Sequence, residues 1–430
     1  MPVPSAHMTK KKKKSPWIVF VAIILAAIVG MWTGTESQIF GIRFYAIYDL
    51  LGTLFIRALT LVVVPLVASS IITGVARIGG DENFGRLGIK IFVFYIGTTF
   101  LAVIVGLLVV NLIQPGISMA DKIATLSTES MAHLEETKIG FTDIIMEFVP
   151  SNAFLAFSQG QMLGIIFFSL FFGYAVSKVV SDAGTTVLNF FQGIFDAMIQ
   201  LTHLIMKCLP LGVFCLVAKT FATAGIETFH SLALFTLTVL LALGLFSLVV
   251  LPLLIRTIGK RSPLTHFRAM APALVTAFST SSSSATLPIT IDCVEKRAGV
   301  SNRICSLVVP LGTSMNMSGS ALYECVAALF VAQAYGLDMT LATQFIVVVL
   351  ALLTSLGVAG IPAASLVSII IILKTIGLPS EGIGLFLAVD RLLDMCRTTV
   401  NVFSDSCCAV LVARSEGESN ILTQKDFPSF

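Results

Sequence analysis

Charge is scarce in this sequence. Of 430 residues only 12% are Asp, Glu, Lys or Arg, and 56% are hydrophobic; a soluble globular chain carries about 25% charged residues. That imbalance excludes an ordinary water-soluble domain and places the chain among membrane proteins. The net charge of +3 is small, and no basic face with interleaved aromatics occurs, so nucleic acid is not an expected partner. Histidine is also sparse, five in all, and none of the five falls at a metal-ligand spacing. The eight cysteines (Cys208, Cys215, Cys293, Cys305, Cys325, Cys396, Cys407 and Cys408) contain no CxxC pair and lie mostly in or beside apolar runs. They read as reduced packing residues rather than as a disulfide framework or a metal site.

What the sequence does have is length in apolar runs, at roughly 17–34, 44–78, 86–114, 143–180, 187–222 and 231–256. At about 20 residues per spanning helix, there is room for about eight spans plus loops. Lys10 to Lys14 followed by the apolar run Trp17 to Trp32 has the look of a signal peptide, but so many spans follow that it reads better as an uncleaved first helix with its lysines in the cytoplasm. The run 44–78 exceeds what a bilayer needs, and Pro65 is a candidate kink. The segment 117–140 carries Asp121, Glu129, Glu135 and Glu136 against Lys122 and Lys138, whereas 256–268 carries Arg256, Lys260, Arg261 and Arg268 with no acid. The basic segment is therefore expected inside, the acidic one outside.

From residue 262 onward polar interruptions become frequent, at 262–296, 302–335, 340–375 and 381–414. One pattern comes twice: "STSSSSATLP" then "GTSMNMSGSALYE", and "SLGVAGIPAASLV" then "DRLLDMCRTTVNVFSD". A single small-residue run is usually a surface loop. Two, each followed by a helix with buried polar groups, read instead as inverted repeats whose interruptions point to a transporter's binding site. Irregular backbone at membrane depth survives only where protein or a water-filled cavity receives it. Half-helix N-termini there suit a carboxylate, and unwound carbonyls suit a cation.

The last of these segments is the most informative. At 100° per residue, Asp390, Asp394, Arg397, Asn401 and Asp405 project at about 0°, 40°, −20°, 20° and 60°, with Thr398 at the edge near 80°. Charges within a span face a bundle interior or an aqueous cavity. Three carboxylates against one guanidinium leave a surplus of negative charge that recruits cations or protons; the plainer alternative is a structural Asp394–Arg397 pair. The Arg397 fork matches a carboxylate, Asp394 can accept an ammonium group, and Asn401 can donate to a second carboxylate. Together they describe an acidic amino acid. Two other classes compete. A channel lacks a ring-forming selectivity motif here, and a serine hydrolase would need His203 or His266 as base, neither in a recognisable motif.

On "SSSSATLP", "NMSGSALYE", "GVAGIP" and "DRLLDMCRTTVNVFSD", in that order, the chain resembles the glutamate/aspartate transporters of the dicarboxylate/amino acid:cation symporter family, from the first span to about Glu416. The resemblance implies an all-α integral membrane protein, a homotrimer, with eight transmembrane helices and two re-entrant helical hairpins whose tips lie near Ser282 and Gly360. It implies an elevator mechanism: scaffold helices in 17–78 and 143–222, and a mobile transport domain from 86–114 and 231–415. Residues 1–16 would form a basic cytoplasmic N-terminus and 416–430 a cytoplasmic tail, in a plasma membrane or a bacterial inner membrane.

Carried over by motif, Arg397 would hold the side-chain carboxylate of an amino acid substrate and Asp394 its amino group. Asn401 and Thr398 would meet the main-chain end, with Ser282 and Ser283 at the first tip, Gly360 at the second, and Ser320 nearby. One co-transported sodium ion would use Asp405 with carbonyls of Gly312, Asn316 and Asn401. A second would use carbonyls of Ser314, Ser355, Leu356 and Val358, and a third Tyr95, Thr98, Thr99 and Asn316. The family's usual N-M-D-G-T reads "NMSGS" here, so Ser318 supplies a neutral oxygen where the third site has a carboxylate. Many members carry an extra arginine at the first tip or two residues before the substrate arginine; here those positions are Ser281 and Met395. Glu324 stands where animal relatives place the acid that carries a proton. The expectation is sodium coupling with fewer sodium ions than usual plus a proton on Glu324. C4-dicarboxylates and neutral amino acids are the alternative substrates.

Overall fold

The computed structural model describes residues 17–39, 41–79, 85–118, 149–179, 181–224, 228–337, 339–355 and 365–423. The lysine run at 10–14, most of the acidic segment at 117–140 and the second tip, with Leu356, Val358 and Gly360, lie outside the described residues. Apolar runs become helices because a helix satisfies its own backbone where water is absent. The order is α1 (Trp17–Thr33), a two-strand ribbon β1 (Gln38–Ile39) and β2 (Ile42–Arg43), α2 (Phe44–Gly79), α3 (Gly85–Ile113), α4 (Ala153–Gln159), α5 (Met162–Ser177), α6 (Asp182–Ile205) and α7 (Leu209–Ala224). Then come α8 (Thr228–Leu245), α9 (Leu251–Thr257), α10 (Pro263–Thr280), α11 (Ser283–Asp292), α12 (Asn302–Met315), α13 (Ser318–Ala334), α14 (Leu341–Ser355), α15 (Ser365–Thr375) and α16 (Leu387–Ser415). The ribbon is antiparallel, with Gln38 opposite Arg43 and Ile39 opposite Ile42.

Among the described residues, four stretches are long and apolar enough to cross a membrane: Phe44–Ala76, Arg86–Ile113, His230–Thr257 and Asn302–Ala334. Shorter apolar helices include Val21–Thr33, Gly164–Ser177 and Leu209–Ala222. Two expected runs are divided. The run 143–180 breaks between α4 and α5, where Gly160 takes a left-handed φ of 66°. The run 187–222 breaks at a tight turn, Met206–Cys208, before α7; Pro210, which lacks an amide hydrogen, sits where a new helix needs none. Pro65 stays inside a continuous α2.

Helices α1 and α2 pack on α7, and α2 also meets α5 and α6. The second group surrounds α13, which is buried along almost its whole length and touches α3, α8, α14, α15 and α16. Its polar residues are buried with the rest, Ser318, Ser320 and Glu324 among them. The groups meet partly through a small apolar cluster of Val67, Ala68 and Ile71 with Val367 and Ile371. All eight cysteines are free thiols; six are buried, Cys396 is half-buried, and Cys208 is exposed.

Beyond α16 the chain folds back. Gly417 turns it with φ 92°, and Glu418 Oε2 accepts from the Ser301 amide at 3.1 Å. Leu422 N–H donates to the Ala298 carbonyl at 2.7 Å, Arg261 donates to the Ser419 carbonyl, and Ile421 is buried. At least as far as residue 423, the expected tail is a docked strap.

Candidate functional site

The α16 stripe faces inward as its periodicity requires. Asp390, Asp394, Arg397, Asn401 and Asp405 are each 1–5% exposed, and Thr398 is buried beside them. Arg397 lies between two carboxylates of its own helix. Its Nη1 donates to Asp390 Oδ1 at 2.9 Å and its Nε to Asp394 Oδ1 at 3.1 Å. Its Nη2 sits 3.0 Å from that same Asp394 oxygen without making a hydrogen bond. The guanidinium lies over the Tyr323 ring, 4.2 Å from its centroid, and the Tyr323 hydroxyl donates to Asp390 at 2.9 Å. Arg391 reaches the other Asp394 oxygen at 3.4 Å. The pairing is thus wider than an Asp394–Arg397 couple: Asp390 shares the guanidinium, and Tyr323 seals one face by a cation–π contact.

Asn401 performs a second task. Its Oδ1 accepts from the Gly319 and Ser320 amides at 2.8 and 3.2 Å, and its Nδ2 donates to Ser320 Oγ at 3.0 Å. The first amides of a helix have no partner within it, and the residue preceding α13, Met317, provides no side-chain cap. Asn401 caps α13 from another helix. Gly319 makes this approach possible: a Cβ there would lie 2.7 Å from the Arg397 carbonyl oxygen and 3.1 Å from Asn401 Oδ1.

The chain unwinds at Asn316 and Met317, between α12 and α13, with φ of −120° and −92°. Asn316 is the hub of that break. Its Nδ2 donates to Asp405 Oδ1 at 2.9 Å and to Ser404 Oγ at 3.2 Å. Its Oδ1 accepts from Thr98, Thr99 and Ser318 at 3.1, 3.3 and 3.0 Å. Ser318 also meets Thr99 and Ser404 at 3.2 and 3.1 Å. Tyr95 points elsewhere, donating to the Val308 carbonyl. Gly312 leaves room for Asp405: a Cβ there would be 2.6 Å from Asp405 Oδ1. Asp405, Asn316, Thr98, Thr99 and Gly312 therefore converge. Ser314 is half-buried near the end of α12, and Ser355 is buried at the end of α14.

The serine run forms a break of its own. Ser281 takes a left-handed φ of 50° and ends α10. Ser282 caps α11, its Oγ accepting from the Ala285 amide at 3.2 Å, and Ser283 is buried. Helices α10 and α11 pack against each other, and both touch α16. Glu324, fully buried on α13, accepts from Thr354 Oγ1 at 3.0 Å through Oε2, while Oε1 has no hydrogen-bond partner. His266 pairs with Ser406 at 3.0 Å, away from the serine run.

Sequence reasoning missed Tyr323, Ser404 and the capping by Asn401. Tyr323 was visible in "ALYE", immediately before Glu324, but nothing in the sequence says which helix face an aromatic ring covers. Chemically, the site offers a half-satisfied guanidinium, carboxylates, two helix breaks, and a web of neutral oxygens around Asn316.

Comparison with known proteins adds to this geometry. The model of the sodium:dicarboxylate symporter family matches residues 17–415. A proton/sodium-glutamate symport protein of Bacillus caldotenax is 35% identical, over 94% of this chain and 95% of the relative. A proton/glutamate-aspartate symporter of Escherichia coli K12 is 34% identical, over 93% and 92%. Excitatory amino acid transporter 3 of Mus musculus is 33% identical, over 91% and 84%.

Proposed function

The chain belongs to the sodium:dicarboxylate symporter family, and on that premise we propose that it is a secondary active symporter importing glutamate or aspartate with sodium and protons. The observation that carries the reading is Arg397: a buried guanidinium held by Asp390 and Asp394 that still has a nitrogen free of hydrogen bonds. An incoming carboxylate takes up those donors. Asp394 receives the amino group, and Asn401, Thr398, Ser320, Ser282 and Ser283 receive the main-chain end. A substrate with no ammonium group leaves Asp394 repulsive, and one with no second carboxylate leaves Arg397 short of a partner.

The surplus of carboxylates makes the site dependent on cations. Sodium bound at Asp405 with the Gly312, Asn316 and Asn401 carbonyls offsets negative charge before the substrate arrives. The cluster of Thr98, Thr99 and Asn316 is neutral because Ser318 brings a hydroxyl, so it holds sodium weakly, and fewer sodium ions move per cycle. Glu324, between α13, α14 and α15, carries a proton instead. The chain spans a plasma or bacterial inner membrane eight times, with both termini cytoplasmic and α10–α11 and α14–α15 as re-entrant hairpins. It forms a homotrimer in which α1, α2 and α4–α7 stay fixed while α3 and α8–α16 move as an elevator.

The test is uptake of labelled aspartate into proteoliposomes with sodium and proton gradients imposed separately. Each gradient should drive accumulation; an ohmic current without accumulation would make the protein a channel. Glutamate should compete and serine should not, and strong competition by succinate would favour a C4-dicarboxylate carrier. Glu324→Gln should flatten the dependence of uptake on pH; an unchanged profile removes the proton from Glu324.

A further inference from the structure

Away from this site, α2 carries a cation in an unusual place. Arg57 lies within the apolar stretch Phe44–Ala76, on a face where Leu50, Leu54 and Leu61 are 60%, 51% and 70% exposed. Within a membrane, a guanidinium among exposed leucines is costly unless it has an anionic partner or reaches the membrane surface. Arg57 opens into a cavity of about 360 Å³ between α2 and the end of α15. The cavity is lined by Thr53, Arg57, Thr60, Lys374 and Ser380, with Ile56 and Leu61 at its apolar wall. Lys374, in the last turn of α15, is a second cation facing the first. Neither makes a hydrogen bond or an ion pair with a described residue, and among the described side chains no acidic one lines the space.

We propose that this cleft binds the phosphate headgroup of an anionic phospholipid, with Arg57 and Lys374 as the charged clamp and Thr53, Thr60 and Ser380 as hydroxyl donors. Two cations around one cavity, with no partner among the described side chains, select an anion of at least one full charge. The arginine fork suits phosphate oxygens, and juxtamembrane basic side chains attract anionic lipid. The exposed leucines beside the cleft say that the anion arrives on an acyl chain: Leu54 and Leu61 flank Arg57 one turn to either side, where the tails would lie. A soluble anion would leave that apolar wall uncovered.

The full chain, purified in mild detergent, is titrated with phosphatidylglycerol and with phosphatidylcholine of the same acyl chains, and bound lipid is counted by native mass spectrometry. Wild type should retain phosphatidylglycerol preferentially. Arg57→Gln with Lys374→Gln should weaken that retention about thirtyfold, and Lys374→Gln alone, at a helix end, about fivefold. Arg57→Lys with Lys374→Arg should keep most of it. Equal retention of phosphatidylglycerol by wild type and the Lys374→Gln protein overturns the proposal. So does inorganic phosphate displacing the lipid at equal concentration, which would mark a free-oxyanion site.

Discussion

Helices α2 and α16 are 36 and 29 residues long, yet they handle their polar side chains in opposite ways. Along α2 the hydroxyls turn back on the helix itself: Thr60 donates to the Ile56 carbonyl, Ser69 to Pro65 and Thr73 to Ser69, at 3.0, 2.6 and 2.8 Å. Along α16 Thr399 and Ser415 do the same, but much of the polar stripe reaches across. Asp390 meets Tyr323, Asn401 caps α13, Asp405 and Ser404 meet Asn316, and Ser406 meets His266. Beyond its first turns, where Asp49 pairs with Lys219 at 2.6 Å and Tyr48 meets Thr33 at 3.4 Å, α2 offers its neighbours these self-satisfied hydroxyls rather than directional bonds. A helix that cross-links is fixed in register. The difference teaches which helices are cross-linked through polar side chains and which meet mainly through apolar contact, as α2 meets α15 at Val67, Ala68 and Ile71 with Val367 and Ile371.

The contrast can be attacked first at its strongest point. Replacing Arg397 by Cys or Thr strands Asp390 and Asp394 as buried charges; breaking a buried pair costs about 3–5 kcal/mol. Aspartate uptake should fall at least about hundredfold, with a shift toward neutral amino acids measured by competition. Undiminished acidic-substrate binding would remove Arg397 from the site. Next, Asn401→Ala leaves two α13 amides uncapped in a buried setting, and thermal unfolding should report a loss of about 1–3 kcal/mol.

At the helix end the cross-link is wetter. Lys90 pairs with Glu416 and holds its carboxyl below the ordinary value of 4.5. A depressed carboxylate contributes stability above its unfolded value and loses it as pH falls through the folded one. Glu416→Gln should therefore lower the melting temperature slightly at pH 7, and the gap to wild type should close below about pH 4. Smallest of all, Thr60→Ala on α2 should change stability by less than about 0.5 kcal/mol. A loss as large as that from Asn401→Ala would erase the distinction between the two helices.

The same contrast explains what could be read in advance. A polar stripe on an apolar helix is a strong periodic signal, so Asp390 to Asp405 declared their shared face, and the serine run declared a break that falls at Ser281 and Ser282. Helices apolar on every side give no such signal. The interruptions at Gly160 and at Met206–Cys208 were absorbed into long apolar runs although "SQGQ" and Pro210 mark them locally, and which helix lies at the centre is not a periodic signal. Pro65 was a candidate kink because proline removes a helix hydrogen bond, and it lies inside α2 without ending it. The cap on α13 was hidden for another reason. Asn401 and Gly319 are 82 residues apart, and no local pattern connects a side chain to a helix end that distant.

The docked strap sets a timetable for biosynthesis. Ser301 finds its partner Glu418 only 117 residues later in the chain, and Ala298 waits for Leu422. While the ribosome is still elongating, the loop at 298–301 stands without these bonds. It is completed only after α16 has emerged, so truncation at residue 416 would leave a chain with every described helix made and that loop unfastened.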